Sequence, residues 1–173
     1  KRQFGINIDV DARDMQYYIY AENNNTGIFS PERAEKEFHK LPVIGGLVIN
    51  EVMASNTSVI ADQNGEFDDW VELYNNNSFS INLNGYYLSD NENDLLKWSF
   101  PNVSIAPNSY LIVWCDTAGN TQTGLHTNFR LSSDQEEVYL TDPLGNIIDA
   151  IHYVNVPSNI SYSRVPNGVG SFL

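Results

Sequence analysis

The sequence predicts an all-β chain, folded as a sandwich or barrel over most of its length. Three observations carry this. Nearly every periodic segment alternates with period two, which places one set of side chains on a core face. The strand-like runs are short, and turn residues separate them at regular intervals. The chain has 173 residues and 42% hydrophobic residues, enough for one ordinary core.

Taken in order, Phe4, Ile6, Ile8 and Val10 share one face of the first strand. Gln16–Glu22 is rich in aromatic and β-favouring residues, and the run Asn23, Asn24, Asn25, Thr26, Gly27 ends it with turn chemistry. The stretch from Pro31 to Lys40 reads two ways. Ser30 and Pro31 suit an N-cap and first helical position, with Ala34, Phe38 and Leu41 at helical spacing. Ala34, Lys36, Phe38 and Lys40 also alternate, and with two strands before it the extended reading is taken. Pro42 to Gly46 then forms a short linker, so residues 1–46 are expected as a small β segment and 47–173 as the main domain.

Beyond the linker, strands are expected at Leu47–Met53, Asp69–Tyr74, Asn82–Ser89, Lys97–Phe100, Tyr110–Cys115, Glu137–Thr141 and Ile147–Tyr153. Asn64-Gly65, Asn84-Gly85, Asp90-Asn91, Pro107-Asn108 and Asp142 to Asn146 supply the turns. The many asparagines fit such turns, because Asn tolerates left-handed backbone and hydrogen-bonds its own chain.

Charge excludes whole classes of function. There are 22 acidic and 9 basic residues, a net −13. A general nucleic-acid binder needs a cationic footprint, and so does docking on an anionic membrane. No nucleic-acid partner is expected. No apolar run reaches 18 residues, so no membrane insertion by a helix is expected. The single Cys115 lies in an apolar run and reads as a buried small hydrophobe.

The stretches Ile49–Asn56, Asp69–Asn75 (Asp-Trp-Val-Glu-Leu-Tyr-Asn), Leu83–Asp90, Lys97–Pro101, Tyr110–Asp116, Leu125–Leu131 and Ser161–Gly168 follow one another in a family order. Together they make Leu47–Leu173 resemble a lamin tail domain, closest to the bacterial forms of secreted and surface proteins. The resemblance implies an immunoglobulin-like β-sandwich and a module with no catalysis of its own. The DNA-linked, basic surface of the metazoan domain does not carry over at net −13. Tyr17–Ser30 is similar to the end of a fibronectin-like or immunoglobulin-like domain.

Asp62, Asn64, Glu66 and Asp68 resemble part of a calcium loop, since Ca²⁺ takes six to eight oxygen ligands. An EF-hand loop has Gly sixth and Glu twelfth, whereas Gly65 is fourth from Asp62 and Leu73 is twelfth. The stretch therefore reads as a solvated turn, and no metal or other cofactor is expected. Glu51, Glu72 and Asp69 are candidates for paired carboxylates of glycoside hydrolysis, which needs a fixed separation that sequence does not give. The plainer expectation is outward-facing carboxylates or pairs with Arg130 and Arg164. His39, His126 and His152 lack zinc spacing, and His126 reads as a structural histidine holding a loop. Trp70, Trp98 and Trp114 are expected in packing rather than as a platform for sugar rings. No Gly-x-Ser-x-Gly elbow and no phosphate loop occur.

The expectation is a non-catalytic binding, adhesion or structural module of a secreted or surface-attached bacterial protein. Its partner would be a protein or a glycan. The alternative is an accessory domain of a larger secreted hydrolase whose catalytic part lies outside this chain. The apolar stripe of the first segment predicts either a monomer or a weak homodimer paired through open strand edges.

Overall fold

The computed structural model describes residues 15–22, 27–30, 39–41 and 46–173. The chain divides into two compact units, Lys1–Val43 and Ile44–Leu173. In the first unit β1 (Met15–Tyr17) pairs antiparallel with β4 (His39–Leu41), and β2 (Ile19–Glu22) pairs with β3 (Gly27–Ser30). The single strand expected over Gln16–Glu22 is thus interrupted at Tyr18. The expected strand from Phe4 to Val10, residues 31–38 of the helix-or-strand stretch, and residues 42–45 of the linker lie outside the described residues.

The second unit is an immunoglobulin-like sandwich of antiparallel sheets. Its strands are β5 (Leu47–Met53), β6 (Asp69–Asn75), β7 (Ile81–Asn82), β8 (Tyr87–Ser89), β9 (Trp98–Ser99), β10 (Ser104–Ile105), β11 (Ser109–Cys115), β12 (Gln135–Thr141), β13 (Ile147–Val154), β14 (Tyr162–Val165) and β15 (Ser171–Phe172). One sheet has five strands in the order β11-β6-β5-β14-β15, and the facing one has four, β13-β12-β8-β9. A short ladder joins β10 to β7.

The alternation seen in the sequence sets which side chains face inward. Ile49, Val52, Val71, Leu73, Val113 and Cys115 from the first sheet meet Leu88, Trp98, Val138, Leu140, Ile151 and Tyr153 from the second in one buried cluster. A register shift between Ile49 and Glu51 places the extra residue Asn50 in β5. The bulge explains why Ile49 and Val52 both point inward despite their odd spacing.

Two expectations needed correction. Asn82–Ser89 is not one strand. Asn84-Gly85 breaks it, with Gly85 at φ 85°, where a side chain would be strained. Between the two halves, Leu83 is fully buried and Tyr86 N donates to Leu83 O. The strands β10, β14 and β15 were not foreseen. They are short, and β14 has no alternation of burial.

Arg164 on β14 ties the two sheets together. Its Nη2 donates to both oxygens of Asp149 on β13 at 2.9 and 3.0 Å, and its Nε donates to Ile49 O at 2.9 Å. Asp149 Oδ2 also accepts from Ile49 N. The arrangement satisfies a mostly buried carboxylate from three directions.

Candidate functional site

Two surfaces of the sandwich gather polar and aromatic groups. The first lies where the β5–β6 connection meets the β11–β12 connection. Asp62 is buried and caps its own loop: Asn64 N and Glu66 N both donate to its Oδ1 at 2.8 Å. Gly65 completes the turn at φ 85°. Asn64 and Gln122 bond across the two connections through their side-chain amides. Burial works against the Asp62 charge. The N–H groups of Glu66, Asn64 and Gly65, helped by His126, outweigh that and hold its carboxyl below the usual range.

Asp62, Glu66 and Asp68 bring one carboxylate oxygen each within 4.8 Å of one another. Asp68 Oδ2 is buried without a hydrogen-bond partner. Burial, then the charges of Asp116, Asp62 and Glu66, push its carboxyl up. The side-chain amide nitrogen of Asn64 donates to Asp62 and Gln122. Neighbouring Asn56 organises the rest of the connection, donating to Ile60 O and Asp68 O and accepting from Val59 N.

Beneath these loops His126 is completely buried. Its Nδ1 lies 2.9 Å from Asp116 Oδ2 and its Nε2 lies 3.1 Å from Thr123 O. The expectation of a structural histidine holding a loop agrees with this geometry. Asp116 also accepts from Ala118 N through Oδ1, and its backbone oxygen accepts from Arg130 Nε.

The second surface is the outer face of the five-stranded sheet. Cross-strand register sets out its rows. Tyr110, Tyr74 and Val48 form one, Ile112, Glu72 and Glu51 the next, and Trp114, Trp70 and Met53 the last. The last row is buried as a separate cluster with Ile112 packed against it. Tyr74 and Tyr110 stack, with centroids 4.6 Å apart and planes at 29°. Tyr110 is 46% exposed, and its hydroxyl accepts from Asn167 Nδ2. Glu51 stands directly opposite Glu72, and Glu72 accepts from Asn50 Nδ2 at 2.9 Å. Burial pushes the Glu72 carboxyl up; the Asn50 bond opposes this and Glu51 adds to it.

A family model for the lamin tail domain matches residues 42–155, well over half of the chain. The chain belongs to the lamin tail domain family. No curated protein matches it. The matched stretch of this lamin tail domain includes both surfaces, apart from β14, β15 and Asn167.

The lamin tail domain places the sequence-derived candidates as follows. Glu51 and Glu72 share the outer face of the sheet, the first of the two placements expected for them, and the arginines offered as alternative partners are engaged elsewhere. Arg164 serves Asp149 and Arg130 serves the backbone of Asp116. The β5 bulge and the inward turn of Arg164 cause this, and neither is visible as a spacing. Asp69 accepts from Asn56 N, with its carboxyl pushed up by burial, then by Asp68. Cys115 is buried in the main cluster and its thiol is pushed far up by burial. Trp70, Trp98 and Trp114 are all buried, as packing requires. His152 is exposed on β13. Sequence reasoning missed Asp116 and Asp149. Asp116 was the last residue of a quoted motif but carried no distinguishing spacing, while Asp149 sits in a strand where an outward carboxylate is the ordinary case.

Proposed function

We propose that this chain is a non-catalytic binding module of a secreted or surface-attached bacterial protein, and that the outer face of its five-stranded sheet is the binding surface. One observation carries the reading: His126, Asp149, Glu72 and Cys115, which could serve catalysis, are committed to the fold. Both nitrogens of His126 face internal partners, Asp149 is held by Arg164, Glu72 by Asn50, and Cys115 is sealed in the core. The outer sheet face differs. It offers an exposed Tyr110 stacked on Tyr74, with the carboxylate of Glu51 in the next row. Exposed tyrosines beside hydrogen-bonding groups suit protein or glycan recognition, because one side chain supplies both apolar area and a polar tip.

Glycan and protein arrays probed with the intact chain test the proposal. The expected result is a ligand whose binding falls at least tenfold in Tyr110→Ala while the fold is kept. Binding that is indifferent to Tyr110→Ala and Glu51→Gln would move the surface elsewhere. Turnover of an arrayed glycan by the chain itself would refute the non-catalytic reading.

A further inference from the structure

The outer face of the five-stranded sheet is acidic at its centre. Glu51 and Glu72 stand opposite each other across β5 and β6. Side chains so placed are roughly 5 Å apart at Cβ, and like charges there repel. A lysine or arginine alongside would offset the repulsion, but the cations are engaged elsewhere. Lys97 pairs with Asp90 and Arg164 with Asp149, while Arg130 bonds the backbone oxygen of Asp116. No ion pair among the described residues reaches Glu51 or Glu72. On β14 the residue registered against Glu51 is Ser163, which is neutral.

The acidic pair belongs to a braced unit. Asn50, the extra residue of the β5 bulge, is buried. Its Nδ2 donates to Glu72 Oε1 and its Oδ1 accepts from Gly168 N, both at 2.9 Å. One amide thus orients Glu72 and pins the turn between β14 and β15. That turn rests on an aromatic ring: Gly168 has φ 77°, and a Cβ there would lie 2.7 Å from Tyr74 Cδ1. Tyr74 stacks on Tyr110, whose hydroxyl accepts from Asn167 Nδ2 at 2.8 Å. Rings and carboxylates fixed in advance lose little freedom when a ligand arrives.

The chemistry of the face selects its ligand. A neutral sugar would leave the repulsion in place, and an acidic partner would add to it. A guanidinium or ammonium group removes it. The exposed Tyr110 attracts the same cation through its ring face. Tyr110 and Glu72 are diagonal neighbours on adjacent strands, roughly 7–8 Å apart and within reach of one long side chain. The net −13 of the chain draws a basic partner from a distance.

We infer, on the reading that this face is the binding surface, that its partner is a protein segment presenting an arginine or lysine. The charged end of that side chain is received by Glu51 and Glu72, and its stem lies against Tyr110.

Short peptides carrying arginine or lysine, each arrayed beside its citrulline or acetyl-lysine counterpart, test this with the intact chain. The basic peptides are expected to bind and the neutral counterparts are not. Glu51→Gln should weaken binding about tenfold. Glu92→Gln removes the same charge from the exposed β8–β9 connection and should leave binding unchanged. Glu51→Lys puts a cation at the site. It should abolish binding while raising the melting temperature, so misfolding cannot explain the loss. Equal weakening by Glu51→Gln and Glu92→Gln would mean attraction by net charge alone and overturns the inference. Equal binding of the neutral counterparts overturns it too, as does failure of every basic peptide to bind. In those cases a neutral ligand lost in Tyr110→Ala would leave the binding surface standing without a cationic partner. Ligands indifferent to both Tyr110→Ala and Glu51→Gln would remove the surface as well.

Discussion

Asn75 shows how one side chain can close a sandwich. It is fully buried at the end of β6, where its Nδ2 faces the carbonyls of Phe79, Ile105 and Ala106 at 2.8, 3.0 and 3.0 Å. Its Oδ1 accepts from the backbone and side-chain amides of Asn77. Asparagine is needed because the site asks one group to donate and accept at once. Asn75→Asp keeps the shape and reverses the donor, leaving a carboxylate against three carbonyls. The expected loss is about 3 kcal/mol or more in urea unfolding, and at least that of Asn75→Ala. An Asp variant as stable as the native chain would show that this network is idle. From sequence, Asn75 was only the first of three consecutive asparagines and the last residue of a family motif. Turn chemistry explained the run, and indeed Asn108, Asn155 and Asn159 take left-handed backbone as expected. Nothing in the run distinguished a buried bridging amide from its half-buried neighbours, because that distinction depends on carbonyls about thirty residues away.

At the scale of elements, alternation was legible and register was not. Val71 and Leu73 against Trp70, Glu72 and Tyr74 could be divided between faces from the sequence alone, and the structure agrees. What Glu72 would face could not be read, since the β5 bulge shifts its partner by one residue. That shift sets two carboxylates opposite each other. Glu51→Lys replaces repulsion by a cross-strand ion pair and should stabilise the chain by about 0.2–1 kcal/mol, with Glu51→Gln between the two. A destabilised Lys variant would mean that Glu51 serves a contact the sheet needs. The acidic connection invites the same scrutiny. Its carboxylates approach one another, yet Asp62 already spends its Oδ1 on two backbone N–H groups. Asp62→Ala is therefore expected to lower the melting temperature through loss of the loop cap, costing about 1 kcal/mol. Millimolar Ca²⁺ should shift neither protein. A calcium-dependent rise in the native chain that Asp62→Ala abolishes would establish a metal site, because a ligand specific to the folded state stabilises it by mass action.

At the scale of the whole molecule, composition announced the excess of acid but not where it is held. The net −13 says that the surface repels itself; it does not say which carboxyls lie under side chains. The structure supplies this. Burial is the largest influence on Asp68, Asp69, Glu72, Glu136 and Asp149, and it pushes each carboxyl up; for Asp149 even the Arg164 pair does not reverse it. Asp62 and Asp142 are held down by hydrogen bonds to their own turns. A raised carboxyl keeps its proton in the folded state after the unfolded chain has released it. Folding then takes up protons, and stability falls as the pH rises above about 4, the unfolded range for Asp and Glu. The two lowered carboxyls act oppositely, contributing above that range and losing their effect as the pH falls through it. Partial exposure screens most of these groups, so each contribution is small, but the raised set shares one sign with the relief of surface repulsion. The melting temperature is therefore expected to be higher near pH 5 than near pH 6.5. It should fall again below about pH 4, where Asp62 and Asp142 lose their charge. Melting curves at constant ionic strength measure this directly. A melting temperature that rises steadily from pH 5 to pH 6.5 would mean that paired rather than buried carboxylates govern the stability of this sandwich.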